Sequence, residues 1–339
     1  MTELVWGTVS TVLEPPQILL SFVAHHLQAG AGVMHLYLDQ PIPEFQAQVR
    51  GKDRVRVTVC DDAYWQSQHN RPRPEDSRYR QVLNANHAYR QAGCDWLAHI
   101  DADEFLIRVP LLKAFLARQP TSVQAVSVSN AERVHLCRPW GVPAQKTVFD
   151  GLFRKPFDGG DTDRIAKVYG KGAEYLQRGF SGYPIGKTLF RTGAGLRVDI
   201  HQPGPREAWQ SGVNPARRWF SRIGLLHVDG FTRAHWERKM RKRLDAQSGQ
   251  PKVRQNPARG RQAEVFTSAV TGGPDVDWLF RATRTVTLVQ AARLLRYRKL
   301  APVRLDVSAA LAAEFPGLDV DLSPAAIDAA LAEQESGRG

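Results

Sequence analysis

The sequence predicts an α/β protein built on an open, mostly parallel sheet flanked by helices, with a helical appendage at the C-terminal end. Strand-like and helix-like segments alternate within the first hundred residues, and this alternation builds parallel sheets with right-handed crossovers. Residues 96–100 are almost continuously apolar, which is typical of a strand buried on both faces of such a sheet.

The helices and strands of the first hundred residues are predicted from the spacing of apolar residues and from the Pro, Gly and polar residues that separate them. Strands are expected over residues 4–13, 33–38, 54–60 and 96–100. Helices are expected over residues 16–29, 45–49 and 75–91. Pro15 and Pro16 suit the start of a helix, and Gly30 suits its end. Residues 62–76 are rich in Arg, Pro, Asn and Gln, so we expect a polar loop there.

The chain changes character after residue 261. Residues 272–274 read Gly-Gly-Pro and break the pattern, residues 278–297 predict one basic amphipathic helix, and residues 311–331 are rich in Ala. We therefore divide the chain into a main domain and a C-terminal helical segment. Their expected bounds are residues 1–261, with halves 1–107 and 108–261, and residues 262–339.

The composition is that of an ordinary globular protein, with 42% hydrophobic and 24% charged residues in 339. No apolar run approaches the roughly 20 residues of a membrane span, and the N-terminus has no basic segment followed by an apolar one. A cytoplasmic location is therefore expected. The three cysteines lie far apart, so neither a zinc knuckle nor a disulfide framework is indicated.

Three carboxylates follow the apolar strand at once: Asp101, Asp103 and Glu104. In parallel sheets, ligands bind beyond the carboxyl ends of the strands. Two carboxylates two residues apart can bind Mg²⁺ or Mn²⁺ while a substrate phosphate completes the coordination shell. The alternative is that these acids cap the next helix.

Other predicted strands also end in acids, namely Glu14, Asp39, and Asp61 with Asp62. We expect them along the same sheet edge as Asp101, although Asp also favours strand-to-helix turns without any ligand. The chain has no phosphate-binding loop of the G-x-x-x-x-G-K-S/T type, which argues against a P-loop NTPase. The glycines at 30 and 32 precede a strand, which argues against a dinucleotide-binding domain.

Positive charge is concentrated in one block. The net charge is +12, and residues 217–261 contain 13 Lys or Arg against three acids. Such a block attracts phosphates on a nucleotide, a lipid surface or a nucleic acid; the alternative is a solvated helix face.

Several segments together resemble the glycosyltransferase family 2-like and family 92-like proteins. They are Glu14, residues 18–27 (Ile-Leu-Leu-Ser-Phe-Val-Ala-His-His-Leu), Gly30, residues 35–39 (His-Leu-Tyr-Leu-Asp), residues 96–105 (Trp-Leu-Ala-His-Ile-Asp-Ala-Asp-Glu-Phe), and, more weakly, residues 186–191, 200–203 and 225–230. The resemblance implies a GT-A fold, a nucleotide-sugar donor such as a UDP-sugar, and Mn²⁺ or Mg²⁺ at the Asp-x-Asp motif. It further implies a glycan or lipid-linked acceptor, with residues 1–107 as the donor half and 108–261 as the acceptor half.

The resemblance also assigns roles. Asp103 would bind the metal, Asp101 would face the metal or the donor ribose, and Glu104 would orient the turn or contact the acceptor. A further metal ligand would be His227 or His201. The alternative for His227 is a core histidine on a strand, and the alternative for His201 is a histidine in a loop.

Donor contacts would come from Glu14, Asp39, Asp61, Asp62, Arg80 and Asn84. For Arg80 and Asn84, the alternative is a surface position. Lys187, Arg191 and the basic block would neutralise the departing diphosphate. Candidate acceptor bases are Asp158, Asp161, Asp163 and Glu174, or else residues 156–163 form a lid with glycine hinges.

Two rival functions come from other classes. A basic nucleic-acid-binding protein would suit the pI of about 9.9, but the chain has no recognised nucleic-acid-binding module, so we expect no nucleic-acid partner. A metal-dependent phosphohydrolase would need more His and Asp close together than this chain offers.

A basic helix is expected to begin near Thr232. Trp236, Met240 and Leu244 recur every four residues and form one apolar stripe between cations. The stripe either packs against the sheet domain or lies on the inner, anionic face of a membrane, where lipid-linked acceptors are found.

Overall fold

The computed structural model describes residues 3–137, 144–201, 216–245, 256–270 and 276–336. The described strands are β1 Trp6–Val12, β2 Val33–Leu38, β3 Val55–Val59, β4 Trp96–His99, β5 Glu104–Leu106, β6 Ala125–Cys137, β7 Leu152–Arg154, β8 Lys187–Arg191, β9 Arg217–His227, β10 Thr285–Thr287 and β11 Leu300–Ala301. The described α-helices are α1 Pro16–Gln28, α2 Pro43–Val49, α3 Asp62–His69, α4 Ser77–Arg90, α5 Val109–Ala117, α6 Thr162–Tyr169, α7 Arg233–Asp245, α8 Pro257–Val270, α9 Val276–Arg284, α10 Leu288–Arg296, α11 Ser308–Glu314 and α12 Pro324–Ser336. The α/β class is therefore confirmed.

The chain divides into two compact units. Unit 1 comprises residues 1–129, 185–225 and 307–320, and unit 2 comprises residues 130–184, 226–306 and 321–339. The domain bounds expected from the sequence, at residues 107 and 261, stay predictions.

Unit 1 contains the parallel strands that the sequence predicts. β1 pairs in parallel with β2 and with β4, and β2 pairs in parallel with β3. The side chains of β2 and β4 are buried throughout, as expected for strands covered on both faces. Beyond β4 the pairing becomes antiparallel, through β8 to the first part of β6. The sheet of this unit is therefore mixed, with its parallel part in the first hundred residues.

Unit 2 has its own hydrophobic core. β7 pairs antiparallel with the end of β6 and with β11, while β10 pairs in parallel with β6. A cluster of buried side chains, including Val134, Phe157, Val286 and Leu294, packs these strands against helices α6 and α10.

The polar loop expected over residues 62–76 is wrong in its first half, because residues 62–69 form α3. The Asp61 side chain caps this helix by accepting a hydrogen bond from the Tyr64 backbone N–H at 2.8 Å. Tyr64 and Trp65 are buried on it, and the Trp65 indole donates to the Cys60 carbonyl at 3.0 Å. Burial of two aromatic side chains therefore outweighs the weak helix propensity of the segment.

The single helix expected over residues 278–297 is also wrong, because β10 interrupts it. Thr285, Val286 and Thr287 pair with residues 135–137 of β6, where β-branched side chains are favoured. Thr287 then begins α10 with a reciprocal capping box to Gln290. Pairing with a strand 150 residues earlier in the chain thus decides this segment.

The apolar stripe of the basic helix, now α7, is buried within unit 2. Trp236 and Met240 pack against Phe266 of α8 and Leu279 of α9, with Leu244 partly buried beside them. The sequence left two alternatives for this stripe, packing within the protein or lying on a membrane. The structure shows packing, but against helices α8 and α9 and not against the sheet.

Some expectations lie outside the described residues, namely those on Lys252 and Arg254 of the basic block, on Pro203, and on the break at residues 272–274. Among the helices that the structure describes, none is long and apolar enough to cross a membrane.

We expect the change Asp61→Ala to lower the free energy of unfolding by about 1 kcal/mol, because it removes the helix cap. Asp62→Ala is the matched control, since Asp62 is exposed and makes no capping bond among the described residues; it should cost less than about 0.5 kcal/mol. Urea denaturation of both variants measures the difference. Equal losses would contradict the capping role.

Candidate functional site

Unit 1 contains a reversal of strand order at the carboxyl ends of its parallel strands. The chain runs from β1 outward to β2 and β3, then returns to β4 on the other side of β1. In open α/β sheets, ligands bind at the crevice that such a reversal creates. Glu14 follows β1, and the Asp101–Glu104 turn follows β4, so the predicted residues come after the two strands that flank this point.

The turn after β4 is built around a buried lysine. The Lys187 ammonium lies 2.7 Å from Asp101 Oδ2 and 3.2 Å from Glu104 Oε2, with only 2% of its side chain exposed. Glu104 Oε2 also accepts the Asp101 backbone N–H at 2.8 Å, and Gln81 donates to Asp101 Oδ1 at 3.1 Å. Asp103 and Glu104 are themselves buried. Charge and hydrogen bonds therefore fix the shape of this acidic turn.

The same ion pair sets the protonation states of the turn. Burial by itself raises the pKa of Asp101, but the Lys187 charge outweighs it and brings that pKa below its usual range. For Lys187, burial lowers the pKa, but Asp101 and Glu104 outweigh it and the pKa is raised. Both groups are therefore charged at neutral pH.

Gly186 is required for Lys187 to reach the turn. Its backbone has a φ of +76°, and a Cβ atom at this position would lie 2.0 Å from the Val128 carbonyl oxygen. Any other residue would push the start of β8 away from β6. The sequence predicts a role for Lys187 as a single cation, whereas the structure shows that Gly186 and Lys187 together hold the acidic turn.

Two histidines lie beside this ion pair in unit 1. Burial, followed by the Lys187 charge, lowers the pKa of His99 to about 4 and that of His201 to about 3. His201 Nδ1 lies 2.9 Å from the Gly186 carbonyl oxygen, so this nitrogen carries the proton and Nε2 carries the lone pair. A ring held by its other nitrogen in this way is typical of histidines that bind metals.

The predicted donor-binding residues Asp39 and Arg80 bind each other. Arg80 Nε lies 2.8 Å from Asp39 Oδ1, and Arg73 contacts Asp39 Oδ2 at 2.7 Å. Arg80 is buried and also donates to the Pro74 and Glu75 carbonyls at 2.7 Å each, so the surface alternative is wrong.

Asn84 is also buried, where it donates to the Thr11 hydroxyl at 2.9 Å and accepts from the Tyr64 hydroxyl at 2.8 Å. Its surface alternative is therefore wrong too. Asp61 and Asp62 lie at the start of α3, where Asp61 has the turn role that the sequence left open. Arg191 stacks on Trp96 at 4.4 Å and donates to the Val123 carbonyl, which makes it part of the framework of unit 1.

Unit 2 contains a buried carboxylate that the sequence did not reveal. Glu132 is fully buried and accepts hydrogen bonds from Arg154 Nε at 3.0 Å and from the Ser181 and Gly182 backbone at 3.0 and 2.6 Å. A Cβ on Gly182 would lie 2.8 Å from Glu132 Oε1, so glycine permits this approach. Burial raises the pKa of Glu132, but Arg154 and Arg284 outweigh it and lower that pKa.

A second buried carboxylate, Asp229, lies two residues after His227. Arg284 forms an ion pair with it, Lys239 lies 3.1 Å away and Arg243 lies 3.6 Å away. His227 and Asp229 offer ligand atoms within 4.8 Å of each other. The sequence pattern His-x-Asp could have indicated this pair, because alternate residues of an extended segment lie on the same side.

The basic side chains that surround Glu132 and Asp229 outnumber these two carboxylates. Among the described residues of unit 2, Glu132 and Asp229 face four basic side chains in ion pairs: Arg154, Arg284, Lys239 and Arg243. Burial, followed by the charge of Arg243, lowers the pKa of a fifth, Arg259, to about 10. Within the described residues, the buried Nε of Arg259 has no hydrogen-bond partner. Such a surplus of positive charge suits an anionic ligand.

The predicted acceptor bases lie on the surface of unit 2. Asp158 pairs with Lys299 at 3.2 Å, Asp161 pairs with Arg164 at 3.2 Å, and Asp163 is exposed. Glu174 lies in a 3-10 helix over Gly170–Tyr175.

Comparison with known proteins gives little beyond this geometry. No protein-family model and no curated protein matches the chain. Solved structures that match include a CMP:2-keto-3-deoxy-manno-octonic acid synthetase complexed with CTP, with a TM-score of 0.25 and 14% sequence identity over 38% of this chain and 53% of that chain. Another is S. aureus TarS 1–349, with a TM-score of 0.31 and 8% identity over 83% of this chain and 81% of that chain. The match spans about half the length of the synthetase. Both TM-scores lie below 0.5, so neither likeness carries an argument here.

We expect the stability of the protein to fall as the pH is lowered through the titration of His99. The unfolded chain binds a proton near pH 6.5, whereas the folded His99 binds one only near pH 4, so stability is lost between these values. From pH 7.5 to 5.0 this histidine alone should cost about 2 kcal/mol. Urea denaturation at both pH values should show that His99→Gln removes about this part of the loss. An unchanged pH dependence would contradict the assignment.

Proposed function

We propose that the protein is a metal-dependent glycosyltransferase of the GT-A type, which moves a sugar from a nucleotide-sugar donor, such as a UDP-sugar, to a glycan or lipid-linked acceptor. The observation that carries the proposal is the acidic turn at the reversal of strand order in unit 1. Asp101, Asp103 and Glu104 follow β4, and Glu14 follows β1, at the position where open α/β sheets bind their ligands.

Donor recognition is proposed for polar groups along this edge of unit 1. Asp39, held by Arg73 and Arg80, keeps a carboxylate in a defined orientation after β2. Asn84 is held by Thr11 and Tyr64. Side chains held by their neighbours in this way can form hydrogen bonds with ribose hydroxyls or base amides without being reordered on binding. Asp61 and Asp62 remain proposed contacts beside them.

The residues present suit a divalent metal. Carboxylates from Asp101 and Asp103 are the oxygen ligands that Mg²⁺ and Mn²⁺ prefer, and a neutral imidazole is a common further metal ligand. The further ligand is proposed to be the imidazole of either His201 or His227. A bound cation would neutralise charge on the diphosphate as it leaves.

The chain's own cations would assist the same step. Departure of a nucleoside diphosphate builds up negative charge, and fixed positive groups stabilise it without reorganisation. Lys187 holds the acidic turn at a constant shape, so its role is positioning. The basic block of residues 217–261 is the proposed source of stabilising groups.

A screen of UDP-, GDP- and CMP-sugars for released nucleoside diphosphate tests the function. A donor and Mn²⁺ together should raise the melting temperature more than either does alone, because each binds the folded state only. A metal-dependent phosphohydrolase would instead release inorganic phosphate from phosphate esters. A nucleic-acid-binding protein would be stabilised by nucleic acid and by no nucleotide sugar.

We expect Asp103→Ala to abolish Mn²⁺-dependent donor hydrolysis, with a loss of at least about a hundredfold, because it removes a proposed metal ligand. Asp319→Ala, which changes an exposed carboxylate of unit 1, is the control and should keep full activity. Circular dichroism checks that both variants fold. Undiminished metal-dependent hydrolysis by Asp103→Ala would refute the metal assignment.

The two candidate histidines can be separated by metal titration. If His227 completes the coordination shell, His227→Ala should raise the Mn²⁺ concentration for half-maximal activity by about 10- to 100-fold, and His201→Ala should raise it far less. The opposite ranking would assign the ligand to His201, whose Nδ1 is held by the Gly186 carbonyl oxygen.

A further inference from the structure

Helix α10 presents an apolar stripe to solvent. Leu288, Val289 and Leu295 are 57%, 59% and 63% exposed, and they are three of the eight large apolar side chains that the described residues leave exposed. Leu288, Ala292 and Leu295 lie at spacings of four and three, so they share one face. The adjoining face, with Ala291 and Leu294, is buried in the core of unit 2. One face of α10 therefore packs against the core of unit 2, and an apolar face is exposed to solvent.

The segment that carries this stripe is basic, and the carboxylate that it meets in an ion pair among the described residues is Asp158, which binds Lys299 at 3.2 Å. Residues 288–300 contain Arg293, Arg296, Arg298 and Lys299 but no Asp or Glu. Arg293, Arg296 and Arg298 are exposed, and among the described residues none of the three forms an ion pair. Arg293 donates a hydrogen bond to the Lys167 carbonyl oxygen. An apolar ridge bordered by arginines that form no ion pair among the described residues is complementary to a surface that is apolar inside and anionic outside.

We propose that α10 docks the protein on an anionic lipid surface, with Leu288, Ala292 and Leu295 in the acyl region and the arginines among the headgroups. The stripe is a convex ridge, which a fluid lipid surface can accommodate without a preformed groove. A second copy of this chain is a poor occupant, because a symmetric contact between two α10 helices would bring two arginine rows together. The proposal stands independently of the glycosyltransferase activity.

Co-sedimentation with vesicles tests the proposal on the full chain. Vesicles of phosphatidylcholine alone are compared with vesicles of phosphatidylcholine and phosphatidylglycerol in equal parts, at low and high salt. We expect binding to the anionic vesicles only, weakened by salt. The double change Leu288→Gln with Leu295→Gln should reduce the bound fraction at least about tenfold, because it removes the inserted side chains. The double change Arg296→Gln with Arg298→Gln should reduce it about tenfold.

Leu111→Gln is the matched control, because Leu111 is 50% exposed on α5 of unit 1 and should be irrelevant to docking. Circular dichroism checks the fold of each variant, and donor hydrolysis, measured without vesicles, should be unchanged. Three results would overturn the proposal: no binding at low salt, equal binding to both vesicle types, or full binding by the Leu288/Leu295 variant. A dimer in light scattering that this variant disperses would assign the face to a second copy instead.

Discussion

The buried ammonium of Lys187 is the interaction on which the candidate site of unit 1 depends. A buried lysine is costly unless opposite charges face it. Here Asp101 and Glu104 face it, and Glu104 also binds the Asp101 backbone. The acidic turn is therefore organised by the protein itself, and Asp103 is presented from a turn whose shape needs no ligand. Gly186 makes this arrangement possible by letting β8 approach β6 closely.

Buried charges are also paired in unit 2, but there the carboxylates are surrounded by a larger number of cations. Its two buried carboxylates, Glu132 and Asp229, are each surrounded by cations that come from separate segments of the chain. Because positive charge remains in excess among the described residues, this cluster is suited to hold an anion as well as to stabilise the fold.

Two apolar stripes on basic helices show why surface properties need the tertiary structure. On α7, Trp236 and Met240 recur at helical spacing and are buried against α8 and α9. On α10, Leu288 and Leu295 lie seven residues apart, which is about two helical turns, and they face solvent. Both helices are basic and carry apolar side chains at helical spacing, and only the packing partners of each helix decide which stripe is exposed.

By itself, the sequence determined the order of the four strands from β1 to β4, three of the four helices between them, and the position of the acids after β4, because apolar periodicity and turn residues act over a few neighbouring positions. It could not show that Thr285–Thr287 would pair with β6 or that Tyr64 and Trp65 would be buried on a helix. Nor could it choose the partners of the site residues. Lys187 meets Asp101 across 86 positions, Arg80 meets Asp39 across 41, and Arg284 meets Asp229 across 55. Only the tertiary structure decided these pairs, since a charge takes whichever counter-charge the folded chain brings within reach.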